Sequence, residues 1–393
     1  MEYVKRLVER DIERALTRGK SVLLLGARQT GKTTLLERIP NDFSLSMVRP
    51  DTRQRYEKNP SILVGEIEAL KKEASLKKPL VLLDEVQKVP EILDVVQDLI
   101  DRQIAQFVLT GSSARKLRRG SSMNLLPGRV VAIHLFPLVF NEYFPVSLEK
   151  MLLEGSLPGM ISPSLKDVEK DLESYVTTYL EEEIRQEALV RNVGAFARFL
   201  EYASSESGQV VNYTKLSQEI GLSQTTIQSH YQILEDCLVA QRVEPLIESK
   251  TRKKLTRSQK YLLFDLGVRR LAAQEGRKIP KDIFGHLFEQ WVGLELLRCA
   301  QYSTEKTRIR FWRDPAGPEV DWVIDRENEK IPVEVKWTES PTLADAKHLK
   351  IFLSEYSDAK TGYVVCRTPR RVKLDKNILA VSWREVDDLV LRT

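Results

Sequence analysis

Residues 21–34 read SVLLLGARQTGKTT, a short apolar run that breaks into a glycine-bounded turn ending in Lys-Thr-Thr. The run Ser21–Leu25 has the length and composition of a strand buried on both faces. The turn, Gly26-Ala27-Arg28-Gln29-Thr30-Gly31-Lys32-Thr33-Thr34, satisfies G-x-x-x-x-G-K-[ST], and the LLERI after it is helical in character. Strand before and helix after is the context that this phosphate-binding loop requires. Gly26 and Gly31 let the backbone wrap a phosphate closely, and the helix start aims N–H groups at it. Lys32 is expected to reach the β- and γ-phosphates, and the Thr33 hydroxyl to ligate Mg²⁺.

Two further apolar runs end in polar groups suited to the same chemistry. Residues 80–85 read LVLLDE: Asp84 is expected to hold the metal, and Glu85 to act as general base on the attacking water. Residues 106–113 read QFVLTGSS, so Ser112 or Ser113 is a candidate γ-phosphate sensor. Basic residues follow at Arg115, Lys116, Arg118 and Arg119, and then Pro127-Gly128-Arg129 precedes VVAIHL. Arg129 reads either as part of a solvated face or as an arginine finger aimed at a neighbouring subunit's nucleotide.

Composition narrows the class. The 393 residues favour two or three domains, and 61 Lys plus Arg against 56 Asp plus Glu give a net charge of +5, which permits a nucleic-acid partner without demanding one. At 42% apolar and 30% charged, disorder is excluded as the main state. Cys237, Cys299 and Cys366 lie far apart and make neither a disulfide framework nor a metal spacing. No apolar run has the length of a membrane span, and MEYVKRLVERDIERAL lacks a leader's apolar core, so a cytoplasmic location is expected.

GARQTGKTT, LLDEVQKVP, LTGSSARKL and LPGRVVAIHLFPLVFNEYF together resemble the AAA-type ATPase module of a large prokaryotic family whose C-terminal domain carries no functional name. GSLPGMISP at 155–163 and YLEEEIRQE at 179–187 fit the junction between its two halves. The resemblance implies ATP rather than GTP. Mg²⁺ is expected from Thr33 and Asp84, and a homo-oligomer, a hexameric ring included, from the need of an Arg129 finger for a neighbouring subunit.

From Phe196 the pattern changes to short helices. After TKLSQEI, Gly221 and Leu222-Ser223 lead into QTTIQSHYQILEDCL, where Ile227, Tyr231, Leu234 and Leu238 recur at helical spacing. This is a helix-turn-helix pattern, and VAQRVEP and KYLLFD are expected to form the two strands of a wing. The second helix is expected to expose Gln224, Thr226, Gln228, Ser229 and His230 to DNA bases or phosphates. The basic tip SKTRKKLTRSQ, with Arg252, Lys253 and Lys254, would meet the backbone. Winged helices also dock proteins, so a protein-only role stays open.

The last block opens with the amphipathic stretch IFGHLFEQWVGLELLRC, which carries Glu289. EVDWVI and IPVEVK then place Asp321, Glu334 and Lys336 on neighbouring strands, where residues i and i+2 share a face. The carboxylates suit Mg²⁺, and the lysine could orient a water for phosphodiester attack. A salt-bridged hairpin, with Glu334 beside Lys336 on one face and paired to Arg313 or Lys330, is the plainer alternative. The block resembles the PD-(D/E)xK nuclease fold over about residues 283–367, with its proline displaced to Pro318.

The expected fold is α/β: an AAA-type ATPase domain at 1–150, a helical linker at 151–195, a winged helix at 196–270 and a nuclease-like α/β domain at 280–393. The expected function is a Mg²⁺-dependent ATPase that binds or remodels DNA, branched DNA included. Two alternatives are a nucleotide-gated switch with a protein partner, and an ATP-regulated nuclease.

Overall fold

The computed structural model describes residues 3–112, 128–143, 147–161, 165–180, 192–247, 258–278, 280, 283–314 and 317–391. They divide into two compact units, residues 1–137 with 236–239, and residues 138–235 with 240–393. Ser113, the basic residues 115–119 and the tip residues Arg252, Lys253 and Lys254 lie outside the described residues.

In the first unit, five strands form a parallel sheet: β1 (Ser21–Leu25), β2 (Phe43–Ser46), β3 (Leu80–Asp84), β4 (Gln106–Gly111) and β5 (Val130–His134), in the order β2-β3-β4-β1-β5. All of β1 is buried, as expected of a parallel strand covered on both faces. Leu23, Leu25, Val81, Leu83, Phe107 and Leu109 face one way, onto Leu63 and Ile67 from the helix Ile62–Glu73 and Val96 and Leu99 from Ile92–Asp101. The register sets Leu25 level with Gly111 and Leu83 level with Leu109. The carboxyl ends of β1, β3 and β4 therefore finish together, which is where open α/β sheets hold ligands.

The second unit is built on one mixed sheet of eight strands. In chain order they are β6 (Ala240–Pro245), β7 (Lys260–Leu263), β8 (Arg308–Arg313), β9 (Glu319–Arg326), β10 (Glu329–Val335), β11 (Gly362–Cys366), β12 (Val372–Asp375) and β13 (Ile378–Ser382). They lie in the order β12-β13-β11-β10-β9-β8-β6-β7. The two strands read as a wing do pair antiparallel, with Arg242 opposite Tyr261. Yet β6 also pairs parallel with β8, Glu244 beside Arg310, so the hairpin extends the C-terminal sheet. The boundaries expected near 195 and 270–280 both fall inside this unit. Among the described residues Val210 also makes a single antiparallel bridge to Lys260, shortly before the helix Tyr213–Ile220.

The helix Ile283–Tyr302 packs on this sheet through a glycine. A Cβ at Gly293 would meet the Trp322 ring at 2.4 Å, so the indole needs the bare backbone there. Trp322 is fully buried and donates from Nε1 to the Glu289 carbonyl at 3.1 Å. Gly293→Ala is accordingly expected to destabilise the protein by about 1–3 kcal/mol through overpacking. Urea unfolding followed by tryptophan fluorescence measures this, and an unchanged midpoint would mean that helix and sheet do not meet so closely.

Candidate functional site: a phosphate cradle and its acidic partners

The loop after β1 closes against the segment after β5. A Cβ at Gly26 would meet the Leu135 carbonyl oxygen at 2.5 Å and the Thr30 hydroxyl at 2.8 Å, so only glycine fits. The loop then uses left-handed backbone at Gln29 (φ 60°) and Gly31 (φ 95°). Arg6 ties it down, donating from Nη1 to the Thr30 carbonyl at 2.8 Å and from Nη2 to the Phe136 carbonyl at 2.6 Å. Lys32, only 5% exposed, donates from Nζ to the carbonyls of Gly26 at 2.9 Å and Ala27 at 3.1 Å. Burial pushes its ammonium below the usual lysine range, while Glu85 and Asp84 pull the other way. Of the remaining loop residues, Arg28 is half-buried, and Thr33 and Thr34 are exposed.

Asp84 ends β3 with its carboxylate buried among hydroxyls. Its Oδ1 accepts from Thr110 at 2.6 Å, and its Oδ2 from Ser46 at 3.1 Å and Thr33 at 3.4 Å. Thr33 and Asp84 thus come together as the two oxygen donors assigned to a metal, and oxygen ligands with room for water suit Mg²⁺. The next residue, Glu85, has φ 56°, a left-handed conformation that costs a non-glycine residue about 1–2 kcal/mol. Its N–H donates to Thr110 Oγ1 at 2.9 Å. Its carboxylate accepts from Ser112 Oγ at 3.1 Å and from the Gln87 amide, and stands 3.6 Å from Lys32 Nζ. Gln87 also donates to Ser112 Oγ at 2.8 Å. Strained backbone at such a position is a familiar mark of a functional residue.

Lys32, Thr33, Asp84, Glu85 and Ser112 are therefore brought together as the sequence proposes. Arg129 is not among them. It precedes β5, whose first residue Val130 lies level with Ser21, so it stands at the amino end of the sheet, about 16 Å of strand from Gly26. There it grips Asp101 with two hydrogen bonds, Nε at 2.6 Å and Nη2 at 2.9 Å. Sequence reading missed Ser46, Thr110, Gln87 and Arg6. Thr110, the polar end of an apolar run, and Gln87, two residues past the acids, were visible signals; Arg6 left none.

In the second unit, the helices Tyr213–Ile220 and Gln224–Asp236 flank Gly221 at φ 74°, and Ser223 accepts from the Thr226 N–H at 3.1 Å. Gln224, Gln228 and Ser229 are exposed, and Thr226 is half-buried. His230 corrects the expectation. It is 8% exposed and lies edge-on to the rings of Phe196 and Phe199, at 5.0 and 5.1 Å. Its position follows from helical spacing, because 227, 230, 231 and 234 form one face and that face is the apolar one.

The C-terminal constellation is charge-paired. Lys336 Nζ donates to Glu334 Oε1 at 2.6 Å, Val335 N to Asp321 Oδ2 at 2.8 Å, and Lys260 Nζ to Glu289 Oε1 at 3.0 Å. Lys260 begins β7, one of the two strands expected of the wing, and is buried over the Trp322 ring at 4.9 Å. Burial works against its charge, but Glu289 and Asp321 hold it above the usual lysine range. Burial, then Glu289 and Glu334, push Asp321 well up, and burial raises Glu334 to about 7 against the pull of Lys336. Arg313 and Lys330 pair elsewhere, with Glu319 and Asp358.

The first unit is thus a P-loop module on a parallel α/β sheet. Residues 18–144 match the family described as an AAA domain, so the chain carries an AAA domain. Residues 146–278 and 284–386 match two families described as domains of unknown function, DUF8612 and DUF4143. An uncharacterised protein of Mycobacterium tuberculosis is 24% identical over 339 residues, covering 85% of this chain and 74% of that protein. One of Methanocaldococcus jannaschii is 23% identical over 439 residues, covering 98% and 86%. A solved structure from Vibrio cholerae aligns over 95% of this chain and 96% of that one, at 10% identity with a TM-score of 0.20. No helix among the described residues is long and apolar enough to cross a membrane.

Thr110→Val keeps the shape of the side chain and removes the hydroxyl that joins Asp84 to the Glu85 backbone. It is expected to cost about 1–3 kcal/mol for the buried groups left unpaired. ATP turnover should fall with it; unfolding and turnover measured together check both, and wild-type values in both would remove Thr110 from the site.

Proposed function

We propose that the protein binds and hydrolyses ATP with Mg²⁺, using the loop 26–34 for the phosphates, Thr33 and Asp84 for the metal and Glu85 for the attacking water. The observation that carries this reading is the meeting of Thr33, Asp84, Glu85 and Ser112 at the aligned ends of β1, β3 and β4. Mg²⁺ would neutralise phosphate charge there. The residues themselves prepare the rest. Lys32 offers a buried cation to the phosphates, Ser112 and Gln87 orient the Glu85 carboxylate, and Arg6 holds the loop in shape.

The second unit is read as the part that acts on DNA, branched forms included, with Gln224, Gln228 and Ser229 and the tip residues Arg252, Lys253 and Lys254 as its contacts. What supports this is the set of exposed polar residues on the helix Gln224–Asp236, together with the basic sequence SKTRKKLTRSQ. A homo-oligomer, a hexameric ring included, is the assembly in which Arg129 would reach a neighbour's nucleotide after releasing Asp101.

The test is ATP turnover with no DNA and with duplex, single-stranded and branched DNA, on the wild type, Lys32→Ala and Glu85→Gln. Removal of a general base is expected to lower turnover by about 10²–10⁴-fold. Glu85→Gln should keep ATP binding, Lys32→Ala should lose it, and one DNA form should stimulate the wild type. Unchanged turnover in Glu85→Gln would reject its assignment, and indifference to every DNA would favour a nucleotide-gated switch with a protein partner.

A further inference from the structure

Glu85 draws its partners from the groups that a nucleotide needs. Its Oε2 accepts from Ser112 Oγ at 3.1 Å and from the Gln87 amide, and its Oε1 stands 3.6 Å from Lys32 Nζ. A carboxylate offers roughly four lone-pair sites, so three partners leave about one. The partners are fixed in turn. Lys32 is 5% exposed and spends two of its three donors on the Gly26 and Ala27 carbonyls. Ser112 is 4% exposed and also accepts from Gln87 at 2.8 Å. Both hydrogens of the Gln87 amide are thereby committed, one to Glu85 and one to Ser112.

Two of the three partners of Glu85 are groups already read as phosphate ligands. Lys32 is the loop lysine, whose ammonium serves the β- and γ-phosphates, and Ser112 is the candidate sensor of the γ-phosphate alone. The carboxylate lies between them with one oxygen towards each, as a terminal phosphate would. A hydroxyl has a single hydrogen, so Ser112 can donate to Glu85 or to a phosphate oxygen but not to both. Lys32, with two donors held by the loop, has one left and faces the same choice.

We infer that Glu85 makes the site answer to a triphosphate: it competes with the terminal phosphate for Ser112 and Lys32. Its carboxylate is freed for water only when that phosphate takes both donors. A diphosphate draws Lys32 alone and leaves Ser112 on the carboxylate. Gln87 holds Oε2 in either case, so the released base stays aligned. The inference rests on the ATP reading and adds to it the group that separates ATP from ADP.

The test is calorimetric titration of the full chain, in Mg²⁺, with ADP and with an ATP analogue whose β,γ-bridge is an imido group. Glu85→Gly removes the carboxylate and suits the φ of 56° at that position. Glu85→Ala repeats the measurement with a side chain in place. Both variants are expected to tighten the analogue about tenfold more than ADP, the worth of one hydrogen bond to a charged group. In a Ser112→Ala background that excess should disappear, because the contested hydroxyl is gone. Tightening that is absent, or equal for both nucleotides, would overturn the inference and leave the ATP reading standing. So would an excess that persists in Ser112→Ala, since the carboxylate would then act as plain charge. Failure of the wild type to bind either nucleotide would overturn both.

Discussion

The buried carboxylate of Asp84 is the constraint around which the first unit is arranged. It stands at the end of a parallel strand, 5% exposed, and is met by hydroxyls from Ser46, Thr110 and Thr33 rather than by a cation. Hydroxyls satisfy its hydrogen-bonding needs and leave its charge intact, the condition for attracting a metal ion. The same Thr110 oxygen accepts from the Glu85 N–H and so helps fix a backbone turn that the residue would not adopt unaided. Parallel pairing with a common finishing line is what brings these groups together, since one step of slip would turn each of them to the other face of the sheet.

The second unit follows another logic. Its sheet spans both of the blocks that the sequence separates, because β6 pairs with β8. Lys260 is the chemical consequence: a residue of the middle block becomes the counter-ion of Glu289 in the last one. Lys336 likewise pairs with Glu334, so two of the carboxylates in the constellation are met by ammonium groups. The long helix beneath also carries Glu295, which accepts from the Phe140 N–H and lies 3.3 Å from Arg298.

Much of the first unit was legible in the sequence because its signals are local. A buried parallel strand reads as an apolar run, and the glycines and the lysine of the loop sit at fixed spacing. Asp84, Glu85 and Ser112 end further runs, so their convergence needed only the assumption of one parallel sheet. Arg6 was invisible, since its partners are backbone carbonyls at Thr30 and Phe136, the second of them 130 residues away. His230 was misplaced because a polar residue was assigned to the polar face by type, whereas its position in the helical repeat puts it between Phe196 and Phe199. The joined sheet was also hidden, because the pairing of Glu244 with Arg310 links segments far apart in the chain and leaves no local mark.

The central claim is that Thr33 and Asp84 form the metal-dependent part of a nucleotide site. Calorimetric titration of the full chain with ATP, in Mg²⁺ and in a chelator, for wild type and Thr33→Ala, tests it most directly. The account predicts tight wild-type binding that weakens when Mg²⁺ is removed, and binding by Thr33→Ala that hardly responds to the metal. Wild-type binding of equal strength with and without Mg²⁺, or no ATP binding at all, would contradict it.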